Sequence, residues 1–144
     1  MSAPLYTTDI LRLAASIPYH VRLIDPQGSA ERRSPVCGSR VTVDVNLGAD
    51  ERVLEAGLLV RACALGQASA ALLGAELIGR TPGELAVARD AVTAWLAGEG
   101  EQPAWPGFAA LDRARDYPAR HASIRLAFEA AAAAAEQAAA RAHA

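Results

Sequence analysis

The segment VTVDVNL at residues 41–47 decides the fold class, because its side chains alternate strictly between apolar and polar. Successive side chains of a β-strand point to opposite faces, so this segment presents one apolar face and one polar face. Residues 52–62 follow a Gly-Ala-Asp-Glu turn and alternate in the same way. The pattern predicts an antiparallel hairpin that buries one face, with the even-numbered residues from Leu54 to Ala62 on the buried side.

Helical patterns lie on both sides of this hairpin. Residues 5–17 carry apolar side chains at helical spacing, and Pro18 ends that pattern. Residues 63–78 are rich in small side chains and predict a closely packed helix that ends at Gly79. The capping box Thr81-Pro82-Gly83-Glu84 predicts the start of a helix that continues to about residue 97.

The remaining segments give shorter elements. Residues 20–24 predict a short strand and residues 25–29 a turn. Residues 98–107 predict a surface loop and residues 108–116 a short helix, and Pro118 can then open the final helix. That helix enters an alanine-rich end at residues 130–144, which can form with little packing and which we expect to fray. The predicted fold class is α+β, with a small antiparallel sheet and helices packed on one face.

Composition limits the possible functions. The chain has 144 residues, of which 52% are apolar and 21% charged, so we predict one packed domain over residues 1–144. The net charge of -2 gives no basis for binding nucleic acid or an anionic membrane, and we expect neither. All fourteen basic residues are arginine, which excludes a Schiff-base or phosphate-loop lysine. No export signal is evident at the N-terminus, so we expect a cytoplasmic protein.

Cys37 and Cys63 are the most informative residues. Thiols stay reduced in the cytoplasm, where two cysteines are more often metal ligands, reactive thiols or plain core residues than a disulfide. Cys37 precedes the first strand of the hairpin, and Cys63 follows the second strand at the start of a helix. The antiparallel pairing therefore predicts that both sulfurs lie at one edge of the hairpin. The simpler alternative is that each cysteine is a small buried hydrophobic residue.

Three motifs resemble those of the U-type iron–sulfur cluster assembly scaffolds, the IscU, SufU and NifU N-terminal domain proteins. PVCG at residues 35–38 resembles their first cysteine motif, and ACALGQASA at residues 62–70 resembles the second. YPAR at residues 117–120 resembles the stretch before their third cysteine, most closely in the SufU branch. The three motifs occur in the family's order and nearly span the chain. The family's aspartate corresponds to Ser39 here, and its third cysteine to Ser123.

The resemblance implies a site of Cys37, Cys63 and a third ligand. Hydroxyl groups are poor ligands for iron and zinc, so Ser39 and Ser123 are the less favoured choices. His121 is the candidate substitute, although a histidine at a helix end is more often solvated than bound to metal. Gly38 would let the backbone approach the site, and the resemblance puts Arg120 beside it. Arg32 and Arg33 precede the first motif and predict either a solvated strand face or part of a partner surface.

The function that follows from the resemblance is a non-enzymatic scaffold or carrier. It would accept sulfur from a cysteine desulfurase together with iron, and pass a transient iron–sulfur cluster to apo-proteins. One alternative is a zinc-bound sulfur acceptor for a cysteine desulfurase, and another is a structural paralogue that no longer binds metal. A thiol enzyme with Cys63 as nucleophile and His121 as base is a further class, for which the sequence shows no substrate pattern.

Overall fold

The computed structural model describes residues 6–35 and 38–142, so Cys37 lies outside the described residues. The helices are α1 (Thr8–Ala14), α2 (Ala64–Ala75), α3 (Pro82–Leu96) and α4 (His121–Ala142), the strands are β1 (Gly28–Arg33), β2 (Arg40–Leu47) and β3 (Val53–Arg61), and two 3₁₀ helices cover Phe108–Asp116 and Pro118–Arg120. The α+β prediction is confirmed, because helices pack on one face of a three-stranded antiparallel sheet with the strand order β1-β2-β3.

The predicted hairpin forms the centre of this sheet. β2 pairs with β3 in antiparallel register, with Val41 opposite Val60 and Val43 opposite Leu58. The valine side chains of β2 at 41, 43 and 45 are completely buried under the helices. Burial of these side chains follows from the alternation in residues 41–47, so the sequence pattern and the packing agree.

A β-bulge corrects the prediction for the start of β3. The register runs from Asn46 opposite Glu55 directly to Leu47 opposite Val53, and so skips Leu54. Val53 consequently enters the core, whereas Leu54 is 63% exposed. The expectation that Leu54 is buried was wrong, because the extra residue reverses the direction of alternation at this point.

The first strand also differs from the prediction. Residues 28–33 form β1 and pair with β2, whereas residues 20–24 are not a strand. This earlier segment begins at the free edge of β3, where Leu58 N donates to the Tyr19 carbonyl at 2.8 Å. From there it crosses the outer face of the sheet. A Cβ atom at Gly57 would collide with the Val21 carbonyl oxygen, which shows how closely the segment lies on the sheet. Both faces of β2 are therefore covered.

Helix α4 fills the space between the sheet and the other long helices. It contacts β1, β2, α2 and α3. Its alanines at 130, 131, 132, 134, 135 and 138 are fully buried. A Cβ atom at Gly28 would overlap the carbonyl oxygen of Ala134, so β1 and α4 approach each other backbone to backbone. The alanine-rich half is thus closely packed, although an alanine-rich helix can also form with little packing. Fraying of its end stays a prediction.

The sequence signals for α3 and the loop after it are confirmed. Thr81 Oγ1 accepts from Glu84 N at 3.1 Å, and Glu84 Oε1 accepts from Thr81 N at 3.1 Å, which completes the capping box. In the loop at residues 98–107, Trp105 is buried and its Nε1 donates to the Leu72 carbonyl at 2.7 Å. This contact fastens the loop to α2. None of the helices within the described ranges is long and apolar enough to cross a membrane.

Candidate functional site

The loop between β1 and β2 carries the first cysteine motif. Ser34 N donates to the Ser39 carbonyl at 2.9 Å, and Gly38 N donates to the Ser34 carbonyl at 3.2 Å. Gly38 has φ +72, a left-handed conformation that favours glycine. Gly38 is therefore needed for the backbone conformation of this turn. Cys37 precedes Gly38 in the sequence, and its predicted place at the site lies outside the described residues.

Cys63 is the N-cap residue of α2 and follows β3 directly. It is a free cysteine of intermediate exposure, and its side chain makes no capping hydrogen bond. Its backbone carbonyl accepts from Gln67 N at 2.9 Å, so the first turn of α2 is fixed around it. The side chain packs partly against the hydrophobic core and is partly exposed, so the thiol is open to one side only.

The two serines that stand at the family's ligand positions meet in the structure. Ser39 Oγ lies 3.3 Å from Ser123 Oγ, and both side chains are buried, with 4% and 1% exposure. Ser123 also lies against α2, because a Cβ atom at Gly66 would be 3.4 Å from Ser123 Cβ. The start of β2, the first turn of α2 and the first turn of α4 consequently converge at one point. This is the convergence that the three sequence motifs predicted.

The pairing of the strands places the entry to β2 beside the exit from β3. Arg40, the first residue of β2, is opposite Arg61, the last residue of β3. Cys63 follows Arg61 by two residues, and Cys37 precedes Arg40 by three. The predicted edge of the hairpin therefore exists, and both cysteine-bearing segments begin from it.

His121 has a different environment from the one expected of a metal ligand. It is buried, and its Nε2 atom lies 3.1 Å from the Ala114 carbonyl oxygen and 2.9 Å from the Arg115 carbonyl oxygen. Carbonyl oxygens only accept, so these contacts require the hydrogen on Nε2 and leave Nδ1 as the ring nitrogen for any ligand. The contacts tie α4 to the 3₁₀ helix at Phe108–Asp116. Sequence reasoning missed this role, since no local pattern marks it.

Arg120 is half-buried and ends the short 3₁₀ helix in front of α4. Its backbone N–H donates to the Tyr117 carbonyl at 2.9 Å. Arg120 directly precedes His121 and lies three residues before Ser123 in the sequence. A role of its guanidinium at the site stays a prediction.

The donor chemistry of the described residues limits what the site can hold. Within residues 6–35 and 38–142, no three His, Cys, Asp or Glu side chains come together as a group able to bind a metal ion. Among the described residues, the candidate donors are the Cys63 thiol, the Nδ1 atom of His121 and the two serine hydroxyls. Iron and zinc prefer thiolate, imidazole and carboxylate ligands. A site for either metal therefore depends on Cys37.

Comparison with solved structures identifies the family. The N-terminal part of a nitrogen-fixing NifU-like protein from Brucella abortus superposes with a TM-score of 0.85 and is 35% identical in sequence. The match covers 94% of this chain and 95% of that one. The chain belongs to the NifU-like family. The resemblance of the three cysteine-motif segments to the U-type scaffolds is thereby confirmed.

Two more distant structures share the NifU-like fold. A protein assigned as an iron–sulfur cluster assembly scaffold for the SUF system, from Fervidobacterium islandicum AW-1, has a TM-score of 0.82 at 18% identity over 91% of this chain and 96% of that one. A hypothetical protein has a TM-score of 0.72 at 18% identity over 92% and 97%. At this identity the two matches establish the fold alone, and a closer relation to the SufU branch stays a prediction. No protein-family model and no curated protein sequence matches the chain.

Proposed function

We propose that this NifU-like protein is a scaffold or carrier for iron–sulfur cluster assembly, with Cys37 and Cys63 as its thiolate ligands. The observation that supports the proposal is the meeting of Ser39 and Ser123 against the first turn of α2. That contact gathers the three segments that carry the family's ligands. The assignment of the related Fervidobacterium protein as a cluster assembly scaffold points in the same direction.

The sulfur-accepting step needs only a thiolate. The thiolate of Cys63 attacks the outer sulfur of a persulfide on the donor, a new S–S bond forms, and the donor cysteine leaves as a thiolate. Cys63 then carries the persulfide, and electrons and atoms balance without another reactant. Cysteine desulfurases generate such persulfides, so a desulfurase is the proposed donor and cluster-accepting apo-proteins are the proposed recipients. The chain itself acts as a carrier rather than an enzyme, and we place it in the cytoplasm.

A cluster or a metal ion needs more ligands than two. Iron–sulfur clusters are commonly held by four protein ligands, mostly thiolates. Two chains that share one cluster would supply these four ligands if each contributed two thiolates. His121 can add a ligand through Nδ1 only, because its Nε2 is engaged by carbonyl oxygens. With Cys37 and Cys63 this nitrogen would give a three-ligand zinc site with one open position, which is the arrangement of a zinc-bound sulfur acceptor.

A second candidate is a structural paralogue that has lost metal binding. The buried Ser39–Ser123 hydrogen bond favours it, because two hydroxyls that bond to each other occupy the two positions where the family's pattern has an aspartate and a cysteine. The pair adds no negative charge where it meets α2 near Gly66. This candidate and the scaffold differ in what the chain binds, so metal content separates them.

Anaerobic reconstitution with ferrous iron and sulfide tests the scaffold proposal. The wild-type chain is expected to retain both, and Cys63→Ser to retain about tenfold less or lower still, since a thiolate ligand is lost. Ala64→Ser is the matched control, because it adds a hydroxyl one residue further along α2 and leaves the thiol in place. Retention of zinc alone by the wild type would favour the sulfur acceptor. Equal iron in wild type and Cys63→Ser would contradict a ligand role for Cys63.

Restoring a third thiolate provides a complementary test. Ser123→Cys is expected to raise the retained iron and sulfide, because the new sulfur replaces a hydroxyl at the convergence point. Ala122→Cys is the control, since it adds the same thiol on a neighbouring face of α4. If both the wild type and Ser123→Cys are folded and bind neither iron nor zinc, the paralogue without metal is the correct description.

A further inference from the structure

Three arginines form a row across the end of the sheet. Arg33 of β1 is opposite Arg40 of β2, and Arg40 is opposite Arg61 of β3. Residues that are directly opposite in antiparallel strands project from the same face of the sheet. Neighbouring strands are about 4.8 Å apart, so the row extends over roughly 10 Å. We call these three residues the arginine row.

The charge of the arginine row is only partly compensated. Glu31 contacts Arg40 Nε at 3.2 Å and Arg33 Nη2 at 3.4 Å. Within the described part of the chain, Arg61 makes no ion pair and is exposed. The side chain of Arg33 is 65% exposed, so solvent and partners reach it. Three guanidinium groups and one carboxylate leave a concentrated positive patch on a chain whose net charge is -2.

Repulsion within the arginine row opposes the stabilisation that the ion pairs with Glu31 give to this end of the sheet. Like charges directly opposite in antiparallel strands are destabilising. Arg33 and Arg61 are exposed and add little packing to set against this repulsion. An anionic partner that lies over the row would remove the repulsion, so the geometry favours binding over a structural role.

The arginine row borders the loop that carries Cys37. The three arginines line an open cavity of about 600 Å³ together with Ser34, Pro35 and Gly38. The loop residues on both sides of positions 36 and 37 thus share one surface with the row. A partner that lies on the row would also contact Pro35 and Gly38.

We propose that the arginine row is a docking surface for an acidic face of the protein that donates sulfur to the thiolate site. The inference rests on the proposed function, which requires such a donor, and it adds the residues and the charge by which the donor is recognised. A protein face fits better than a small anion, because the guanidinium groups are spread over roughly 10 Å on an exposed sheet end instead of converging in a buried cradle. Complementary charge also speeds encounter and sets orientation.

Binding of a cysteine desulfurase from the same organism tests the inference. The triple variant Arg33→Gln, Arg40→Gln and Arg61→Gln is expected to bind the desulfurase about tenfold more weakly or worse at low salt, and to lose most of the salt dependence between about 50 and 500 mM. The control is the triple variant Arg12→Gln, Arg113→Gln and Arg141→Gln. It removes the same charge from exposed arginines outside the row and should stay within about twofold of wild type.

Stability separates docking from a structural role. The row variant should unfold at the same urea concentration as wild type or at a higher one, since repulsion across the strands is relieved. If it fails to fold, Arg61→Gln alone serves as the variant, because it breaks no ion pair of the described chain. Weaker desulfurase binding by a folded row variant, but not by the control, supports the inference.

Three results would overturn the inference. They are equal binding of the desulfurase by row variant and control, absence of desulfurase binding by the wild type, and saturable binding of inorganic phosphate that needs the row and excludes the desulfurase. Reconstitution with iron and sulfide needs no partner protein and is measured on the same variants. Normal reconstitution with the first or third of these results rejects the docking surface alone. Normal reconstitution without any desulfurase binding by the wild type rejects the docking surface and the desulfurase as donor, but leaves cluster binding intact. Failed reconstitution of the wild type counts against the proposed function.

Discussion

Asp44 shows how a single buried charge fixes the outer face of the sheet. Its side chain is completely buried, and it accepts from Arg22 Nε at 2.7 Å, Ser29 Oγ at 2.6 Å and Leu23 N at 3.0 Å. Burial by itself would raise the pKa of Asp44, but the hydrogen bonds from Arg22, Ser29 and Leu23 outweigh it and hold the pKa below its usual value. The carboxylate therefore joins the segment before β1 to the centre of the sheet.

Replacing this carboxylate should cost stability in a way that depends on pH. Asp44→Asn is expected to lower the free energy of unfolding by about 2 kcal/mol at pH 7, since charge-assisted hydrogen bonds are lost. Because the pKa of Asp44 is lowered in the folded state, its stabilisation is fully present above the unfolded-state pKa of about 3.9. It is lost as the pH falls through the folded-state pKa of Asp44. Urea unfolding at pH 7 and about pH 3 should therefore show a smaller difference between variant and wild type in acid.

Asp116→Asn is the control for this measurement. Asp116 is exposed and lies at the end of the first 3₁₀ helix, so its replacement should change stability by less than about 0.5 kcal/mol at either pH. An Asp44→Asn variant that stays equally destabilised at both pH values would contradict the account, because the loss would then not come from the ionised carboxylate.

At the scale of residues, the sequence predicted which chain segments meet, but not the contacts that their side chains make. The convergence of Ser39 and Ser123 was predictable because three motifs carried a family arrangement with them. The carbonyl contacts of His121 were not, because they depend on how the 3₁₀ helix before α4 packs. The arginine row was equally hidden, since Arg40 and Arg61 are 21 residues apart in sequence and only the strand register aligns them.

At the scale of elements, strands with a strong alternation of apolar and polar residues were predicted correctly, and strands without it were missed. The β2–β3 hairpin was correct because valines alternate with polar residues through residues 41–47. β1 was missed because its buried positions are Gly28 and Ala30, which carry almost no hydrophobic signal. They are small because the backbone of α4 lies directly against them, as the clash of a Cβ atom at Gly28 shows. A bulge leaves no local signal either, so the exposure of Leu54 could not be anticipated.

Helix α4 should therefore tolerate larger side chains only on its exposed side. Ala134 is fully buried against β1, so Ala134→Leu should lower the free energy of unfolding by about 1–3 kcal/mol through overpacking. Ala140 lies on the same helix and is exposed, so Ala140→Leu should change stability by less than about 0.5 kcal/mol. Urea unfolding of both variants checks the difference. Equal stability of the two would mean that α4 does not pack on the sheet through its alanines.

At the scale of the whole molecule, α4 connects the candidate site to the core. Its first turn carries Ser123 at the convergence point, and its later turns lie between the sheet and α3. A local opening of the structure at the site would therefore have to move α4, which packs against β1, β2, α2 and α3. The site is consequently positioned by the global fold rather than by its own loop contacts.

This arrangement predicts how hydrogen exchange should be distributed. The backbone amides of residues 124–138 should exchange only through global unfolding, with the same free energy as the amides of β2, because both elements belong to one buried cluster. The amides of residues 139–142 should exchange much faster, since the last turn of a helix opens locally and most side chains there are exposed. Exchange measured by NMR at increasing urea concentrations distinguishes the two classes. If exchange from Ala130 onward were fast and independent of urea, the alanine-rich half would fray as its composition suggested, and the core would end at Phe128.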